Sequence, residues 1–185
     1  MSSRVEDLGN PLETHVRRNV EIKARIDNWE ASRAKVERLA DAHVEHIRQH
    51  DSFFHSPQGR LKLRLSSPGR GQLIYYERPD DASAKTSRYM IYETSAPAEM
   101  HALLAASLGI RGTVSKERLV FLHGNTRIHL DRVEGLGEFL ELEVVLDPSE
   151  DERAGRETAN TLLDELAIGP EQLIEGAYID LLDKR

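Results

Sequence analysis

The chain has 185 residues, of which 39% are hydrophobic and 31% charged, a length near one average domain and a composition too apolar for a disordered polymer. No run approaches the ~18 apolar residues of a membrane helix, and the lack of cysteine excludes disulfides, a thiol nucleophile and thiolate metal sites. With 25 basic against 32 acidic residues the net charge is −7, which disfavours a nucleic-acid partner.

Residues 1–15 mix Gly, Pro and acids without a period and read as a loose leader, followed by one domain over 16–185. Acid stands at Glu6 and Asp7, where a signal peptide would be basic and then apolar, so a cytoplasmic location is expected. From Arg18 the pattern alternates: Val20, Ile22, Ala24 and Ile26 on one face, Asn19, Glu21, Lys23 and Arg25 on the other, which predicts a strand. Helical spacing of Val36, Ala40, Val44 and Ile47 predicts a helix over 29–48, with Trp29 packed near its start. Strands are then expected at Arg60–Leu65, Gln72–Arg78 and Thr86–Thr94, the first two separated by the turn composition Ser66–Ser67–Pro68–Gly69. Pro97 opens a short helix through Leu108, which Gly109 ends. Strands near 113–122, 126–133 and 138–146 follow. A capping box at Ser149 and Glu152 starts a helix carrying Leu162, Leu163 and Leu166, and Pro170 opens a last helical piece running through Tyr178 and Leu182.

One charged strand face is ordinarily just solvated. Here charged faces recur: Glu21 with Lys23, then Arg60, Lys62 and Arg64, then Lys116 and Arg118, Arg127 and Asp131, and Glu141 with Glu143. The opposite faces, such as Leu140, Leu142, Val144 and Leu146, are apolar and need helices to cover them. Either an open sheet shows its charges to water, or a curled sheet lines a tunnel with them. Like charges two residues apart repel, so a run such as Arg60–Lys62–Arg64 makes sense with a polyanion between the side chains. The acids suit a hard divalent cation that bridges to phosphate. Tyr75, Tyr76, Tyr89 and Tyr92 read as core or tunnel wall, and His129 shares the Arg127–Asp131 face.

Asn19–Val20–Glu21–Ile22–Lys23 resembles the N-terminal Glu-x-Glu-x-Lys signature of the CYTH superfamily, the triphosphate tunnel metalloenzymes. Four further blocks follow in the family's order: Asp51–Phe54 with Gly59–Arg64, Leu73–Pro79, Val114–Arg118, and Arg127–Asp131 with Gly135–Glu143. The resemblance implies an α+β fold, a closed tunnel of eight antiparallel strands with helices outside. It implies Mg2+ or Mn2+ as cofactor and a small-molecule triphosphate as partner, with no membrane; a homodimer is compatible with it. Position by position, Lys23, Lys62, Arg64, Lys116 and Arg118 match the phosphate-binding bases. Arg60 and Arg127 share their faces, Arg78 follows the third block, and Lys85 is a weaker candidate as a loop lysine. Glu21, Asp131, Glu141 and Glu143 match the metal-binding acids, and Glu21 or Glu143 would orient or deprotonate water. The implied activity is triphosphate hydrolysis. Alternatives are a class IV adenylate cyclase, weakened because His15 precedes Val16 rather than Phe, and a non-catalytic polyphosphate- or nucleotide-binding module, supported by Asn19 where the family carries glutamate.

Overall fold

Side chains that alternate between apolar and charged give each strand two unlike faces, and closing the sheet puts one face against helices and the other inside. The computed structural model, which describes residues 16–67 and 69–184, shows that closure. In chain order the strands are β1 (Arg17–Arg25), β2 (Ala42–Phe54), β3 (Arg60–Ser67), β4 (Arg70–Glu77), β5 (Lys85–Thr94), β6 (Ile110–His123), β7 (Thr126–Val133) and β8 (Gly137–Leu146). Around the barrel they run β1-β5-β4-β3-β2-β6-β7-β8, every pair antiparallel, and β8 returns to β1. Closure pairs every strand on both sides and leaves no sheet edge. The open-sheet alternative is thereby excluded.

Four α-helices among the described residues lie outside: α1 (Trp29–Leu39), α2 (Pro97–Leu108), α3 (Glu152–Leu166) and α4 (Tyr178–Asp183). The main core sits between barrel wall and helices. Val20 and Ile22 of β1, Ile128 and Leu130 of β7, and Leu140, Leu142 and Val144 of β8 pack against Trp29 and Val36 of α1 and Ala159, Leu162, Leu163 and Leu166 of α3. Truncating any of the larger aliphatic members to alanine would cost ~2–5 kcal/mol. Gly155 sets how closely α3 approaches: a Cβ there would meet Val20 Cγ2 and Leu146 Cδ2 at 2.8 Å. No described helix is long and apolar enough to cross a membrane.

The structure corrects three expectations. The helix expected over 29–48 ends at Leu39, where Ala40 turns extended at φ −70°, ψ 142°. From Ala42 the chain is instead β2, laddered to β6 from Ala42↔Leu122 to Phe54↔Ile110 and to β3 from His50 to Phe54; the helical spacing at Ala40 and Ile47 yields to a long-range pairing that gives this stretch its backbone partners. Asp151, not Ser149, caps α3 by accepting from Arg153 N at 3.0 Å, while Ser149 bonds Asp147. The last helical piece is broken: a 3-10 turn at Pro170–Gln172, an extended link in which Ile174 N donates to Lys23 O, and then α4. The expected leader, residues 1–15, and Pro68 of the Ser66–Gly69 turn lie outside the described residues.

That extended link delivers α4 to one end of the barrel. There Ala177, Tyr178 and Ile179 join Phe53, Val114, Val133, Leu136 and Phe139 in a second apolar cluster. The approach is close at Gly112, where a Cβ would lie 2.7 Å from Ile179 Cδ1. One ion-pair network ties the helix down, Arg60 and Arg111 to Asp180 at 2.7 Å each and Arg111 to Asp183 at 2.6 Å.

Candidate functional site

Strand register decides which inward side chains meet. The β1–β8 pairing sets Glu21 opposite Glu143 and Lys23 opposite Glu141. Between β7 and β8, Arg127 faces Glu143 and His129 faces Glu141; between β6 and β7, Arg118 faces Asp131. On the other side of the barrel Asp51 of β2 faces Arg64 of β3. All of these except His129 and Asp131 line a cavity of ≈ 170 Å³ floored by Ala177 and Tyr178. Seven cationic side chains line it, Lys23, Lys62, Arg64, Arg78, Lys116, Arg118 and Arg127, against four acids, Glu21, Asp51, Glu141 and Glu143. A chain of net charge −7 therefore carries a basic interior.

The bases are held in place by buried acids. Asp51, 3% exposed, takes Lys62 at 2.7 Å and a bidentate Arg64 at 2.8 Å. Asp131, fully buried, takes Arg118 through both oxygens at 2.6 Å, Lys116 at 3.1 Å and the Tyr178 hydroxyl at 2.8 Å. Arg118 also donates to Glu141 at 2.5 Å, and Lys23 pairs with the other oxygen of Glu141. Arg127 holds Glu143 Oε2 at 2.8 Å, and Arg78 pairs with Glu21. The Lys23 and Lys116 ammonium groups lie 4.4 and 5.1 Å from the Tyr178 ring centroid, a cation–π floor for the cavity.

Burial and neighbouring charge then separate the protonation behaviour of these groups. Burial raises Glu21 above the usual carboxylate range; Arg78 opposes the shift, and the negative charges of Glu141 and Glu143 add to it. Burial opposes the charges on Asp51 and Glu141 too, yet Lys62 and Arg64 beside Asp51, and Lys23 and Arg118 beside Glu141, hold both well below that range. Lys116 is pushed down to about 7 by burial and by the Arg118 charge. Burial, then Arg118, also lowers His129, which keeps its imidazole neutral.

Of the residues singled out in the sequence, the fold brings Lys23, Lys62, Arg64, Arg78, Lys116, Arg118, Arg127, Glu21, Glu141 and Glu143 to this cavity. Arg60 is placed elsewhere: it shares the inward parity of β3 but is drawn to Asp80 at 2.5 Å and Asp180 at 2.7 Å beside α4. Lys85, expected in a loop, opens β5; it is 2% exposed, donates to the Asp81 carbonyl and is not among the residues that line the cavity. Asp131 lies opposite Phe139, deeper than Glu141 and Glu143, so the three acids are strung along the tunnel rather than gathered at one end. Tyr76 and Tyr89 line the wall, whereas Tyr92 points out and is 64% exposed. Sequence reasoning passed over Asp51, which stood in the second block as a buried counter-charge, and Tyr178, whose role no local pattern announces.

The donor set fits a divalent cation. Glu21 and Glu143 are directly opposed, and His129, Glu141 and Glu143 each offer a ligand atom within 4.8 Å of the others. Asn19, 4% exposed on the same wall, has a buried Oδ1 without a hydrogen-bond partner.

Comparison with known proteins gives a consistent assignment. The sequence model of the CYTH domain family matches residues 17–178. A Pyrococcus horikoshii protein superposes with a TM-score of 0.78 at 24% identity, over 88% of this chain and 98% of that one. A putative adenylate cyclase of Vibrio parahaemolyticus gives 0.70 at 22% identity, over 89% and 97%. A putative adenylyl cyclase of Hippeastrum, described as having a dominant triphosphatase activity, gives 0.59 at 17% identity, over 91% and 95%. At these identities the structural likenesses establish the fold. Comparison with curated protein sequences gives no match.

Proposed function

The chain belongs to the CYTH domain family, and from that premise we propose that it binds a linear triphosphate inside the basic tunnel and hydrolyses it with the help of a divalent cation. The observation that carries the reading is the excess of seven cations over four acids around one enclosed cavity in an acidic protein. Guanidinium and ammonium groups on several walls make charge-assisted bonds to phosphate oxygens, and each is already oriented by a buried acid, so little side-chain ordering is left for the ligand to impose.

In this reading Lys62, Arg64, Lys116, Arg118 and Arg127 hold the phosphate chain from three strands. Water attacks the terminal phosphorus, the bond from that phosphorus to the bridging oxygen breaks, and orthophosphate and the corresponding diphosphate (pyrophosphate when the substrate is tripolyphosphate) leave. Glu21, whose raised pKa suits it to exchange a proton nearer neutral pH, accepts the proton of the attacking water. Glu141 and Glu143 would hold the cation, which would supply charge neutralisation on the phosphate oxygens. The bases contribute positioning and stabilisation of the developing charge, the principal source of catalysis in phosphoryl transfer.

The test is incubation of the protein with tripolyphosphate, ATP and thiamine triphosphate, each with Mg2+ or Mn2+, following orthophosphate and cyclic AMP. Orthophosphate release, reduced in Arg64→Ala, supports hydrolysis. Cyclic AMP with pyrophosphate from ATP would replace hydrolysis by cyclisation, and binding without either product would leave a binding module.

A further inference from the structure

His129 is the one described histidine whose imidazole is buried among the tunnel's acids. It is 4% exposed on β7, on the inner face between Arg127 and Asp131. Its Nδ1 is buried and has no hydrogen-bond partner. The nearest acceptors are Glu141 Oε2 at 3.7 Å and Glu143 Oε1 at 3.8 Å, both beyond hydrogen-bonding distance. An unpaired ring nitrogen in a closed, polar site is costly unless something else uses its lone pair.

These separations suit a shared ion better than they suit hydrogen bonds. Two ligands of one cation, each bonded at ~2.1 Å, stand at most about 4.2 Å apart. Both nitrogen–oxygen distances fall inside that limit. The cross-strand register explains why: His129 faces Glu141 directly, and Glu143 is the next inward residue along β8. Arg127 occupies Glu143 Oε2, so that carboxylate already presents Oε1 to the imidazole.

We propose that His129 Nδ1 is a direct metal ligand alongside Glu141 and Glu143, and that this nitrogen makes the site select a transition-metal cation such as Mn2+, Co2+ or Zn2+ over Mg2+. The inference rests on the proposed function in placing a divalent cation at Glu141 and Glu143, and adds a third ligand and the class of cation it selects. Mg2+ is satisfied by oxygen and water in near-ideal octahedra, whereas imidazole binds the transition ions far more strongly, in the general order of affinity that places Mn2+ lowest and Zn2+ and Cu2+ high. An all-carboxylate site would lack that discrimination.

The experiment uses the tag-free full chain stripped of metal and titrated with Mn2+ and with Mg2+. Electron spin echo modulation of the Mn2+-loaded protein reports a directly bonded nitrogen, and calorimetry gives both affinities for wild type and His129→Gln. The proposal expects nitrogen modulation in wild type that disappears in His129→Gln. It also expects a loss of Mn2+ affinity of at least roughly tenfold with Mg2+ affinity changed by less than about threefold. Wild-type Mn2+ without nitrogen modulation overturns it, and this readout needs no variant to fold. Equal losses for the two ions overturn the selectivity. Tripolyphosphate binding by wild type is measured separately: nitrogen-bound Mn2+ without triphosphate binding would refute the function and keep the ligand, whereas triphosphate binding with an all-oxygen Mn2+ would do the reverse.

Discussion

Replacing Asp131 by asparagine should destabilise the metal-free protein without abolishing cation binding. Its carboxylate is fully buried and receives Arg118 twice, Lys116 and the Tyr178 hydroxyl. An amide of the same size turns one acceptor into a donor aimed at donors, and it leaves Arg118 with Glu141 as its remaining partner. Breaking a buried pair from one side costs about 3–5 kcal/mol. At this chain length each kcal/mol moves the thermal midpoint by ~2–4 °C, so the midpoint should fall by roughly 6–20 °C. Lys116 supplies a sign check through pH. Its pKa is already down at about 7, and losing its counter-charge lowers it further in the folded variant. The unfolded chain keeps that proton throughout, so stability of the variant rises with pH up to about 7 more steeply than that of wild type. The deficit should therefore be larger at pH 5.5 than at pH 8. Urea unfolding at both pH values, with Mn2+ titration of the folded variant, checks this. A midpoint within about 2 °C of wild type combined with lost Mn2+ binding would show that Asp131 serves the metal, as its family resemblance implies, and would refute the ion-pair account.

Other outcomes follow from the same geometry. Arg64→Ala should weaken triphosphate binding by ~1.5–3 kcal/mol, the range for hydrogen bonds to charged groups. Arg118→Ala should lose as much and also unfold more readily, because it removes a buried counter-charge from both Asp131 and Glu141; calorimetry and thermal melts separate the two. Triphosphate binding at pH 8 should take up more protons in wild type than in Lys116→Met, since the polyanion restores the Lys116 charge, and the difference should vanish by pH 6; calorimetry in buffers of different ionisation enthalpy reads it. Asn19→Glu adds a buried negative charge on the strand that carries Glu21, so it should lower metal-free stability and tighten divalent-cation binding; unchanged metal affinity would place residue 19 outside the cation site.

Much of the tunnel was legible in the sequence because side-chain parity along a strand is local. Period-two alternation at Val20–Ile26 and Leu140–Leu146 assigns each residue to a face without reference to any neighbour. For that reason Lys23, Lys62, Arg64, Lys116, Arg118, Glu141 and Glu143 could all be named as sharing charged faces, and they do line the cavity. Residues 40–48 were illegible for the converse reason. Spacing compatible with a helix stood on a segment whose conformation is set by β6, roughly 70–80 residues further along the chain.

Partnership was equally hidden. The runs of like charge looked mutually repulsive in sequence, whereas the closed barrel gives each base an acid from another strand: Lys23 meets Glu141 across 118 positions, and Arg78 meets Glu21 across 57. Arg60, identical in parity to Lys62, leaves the set because α4 brings Asp180 beside it, and Tyr178 enters the site from the far end of the chain. Alternation along one strand is enough to say which side chains share a face. Whether that face turns inward, and which of its residues touch, depends on strand order, register and the docking of α4, all set by closure among segments far apart in the chain.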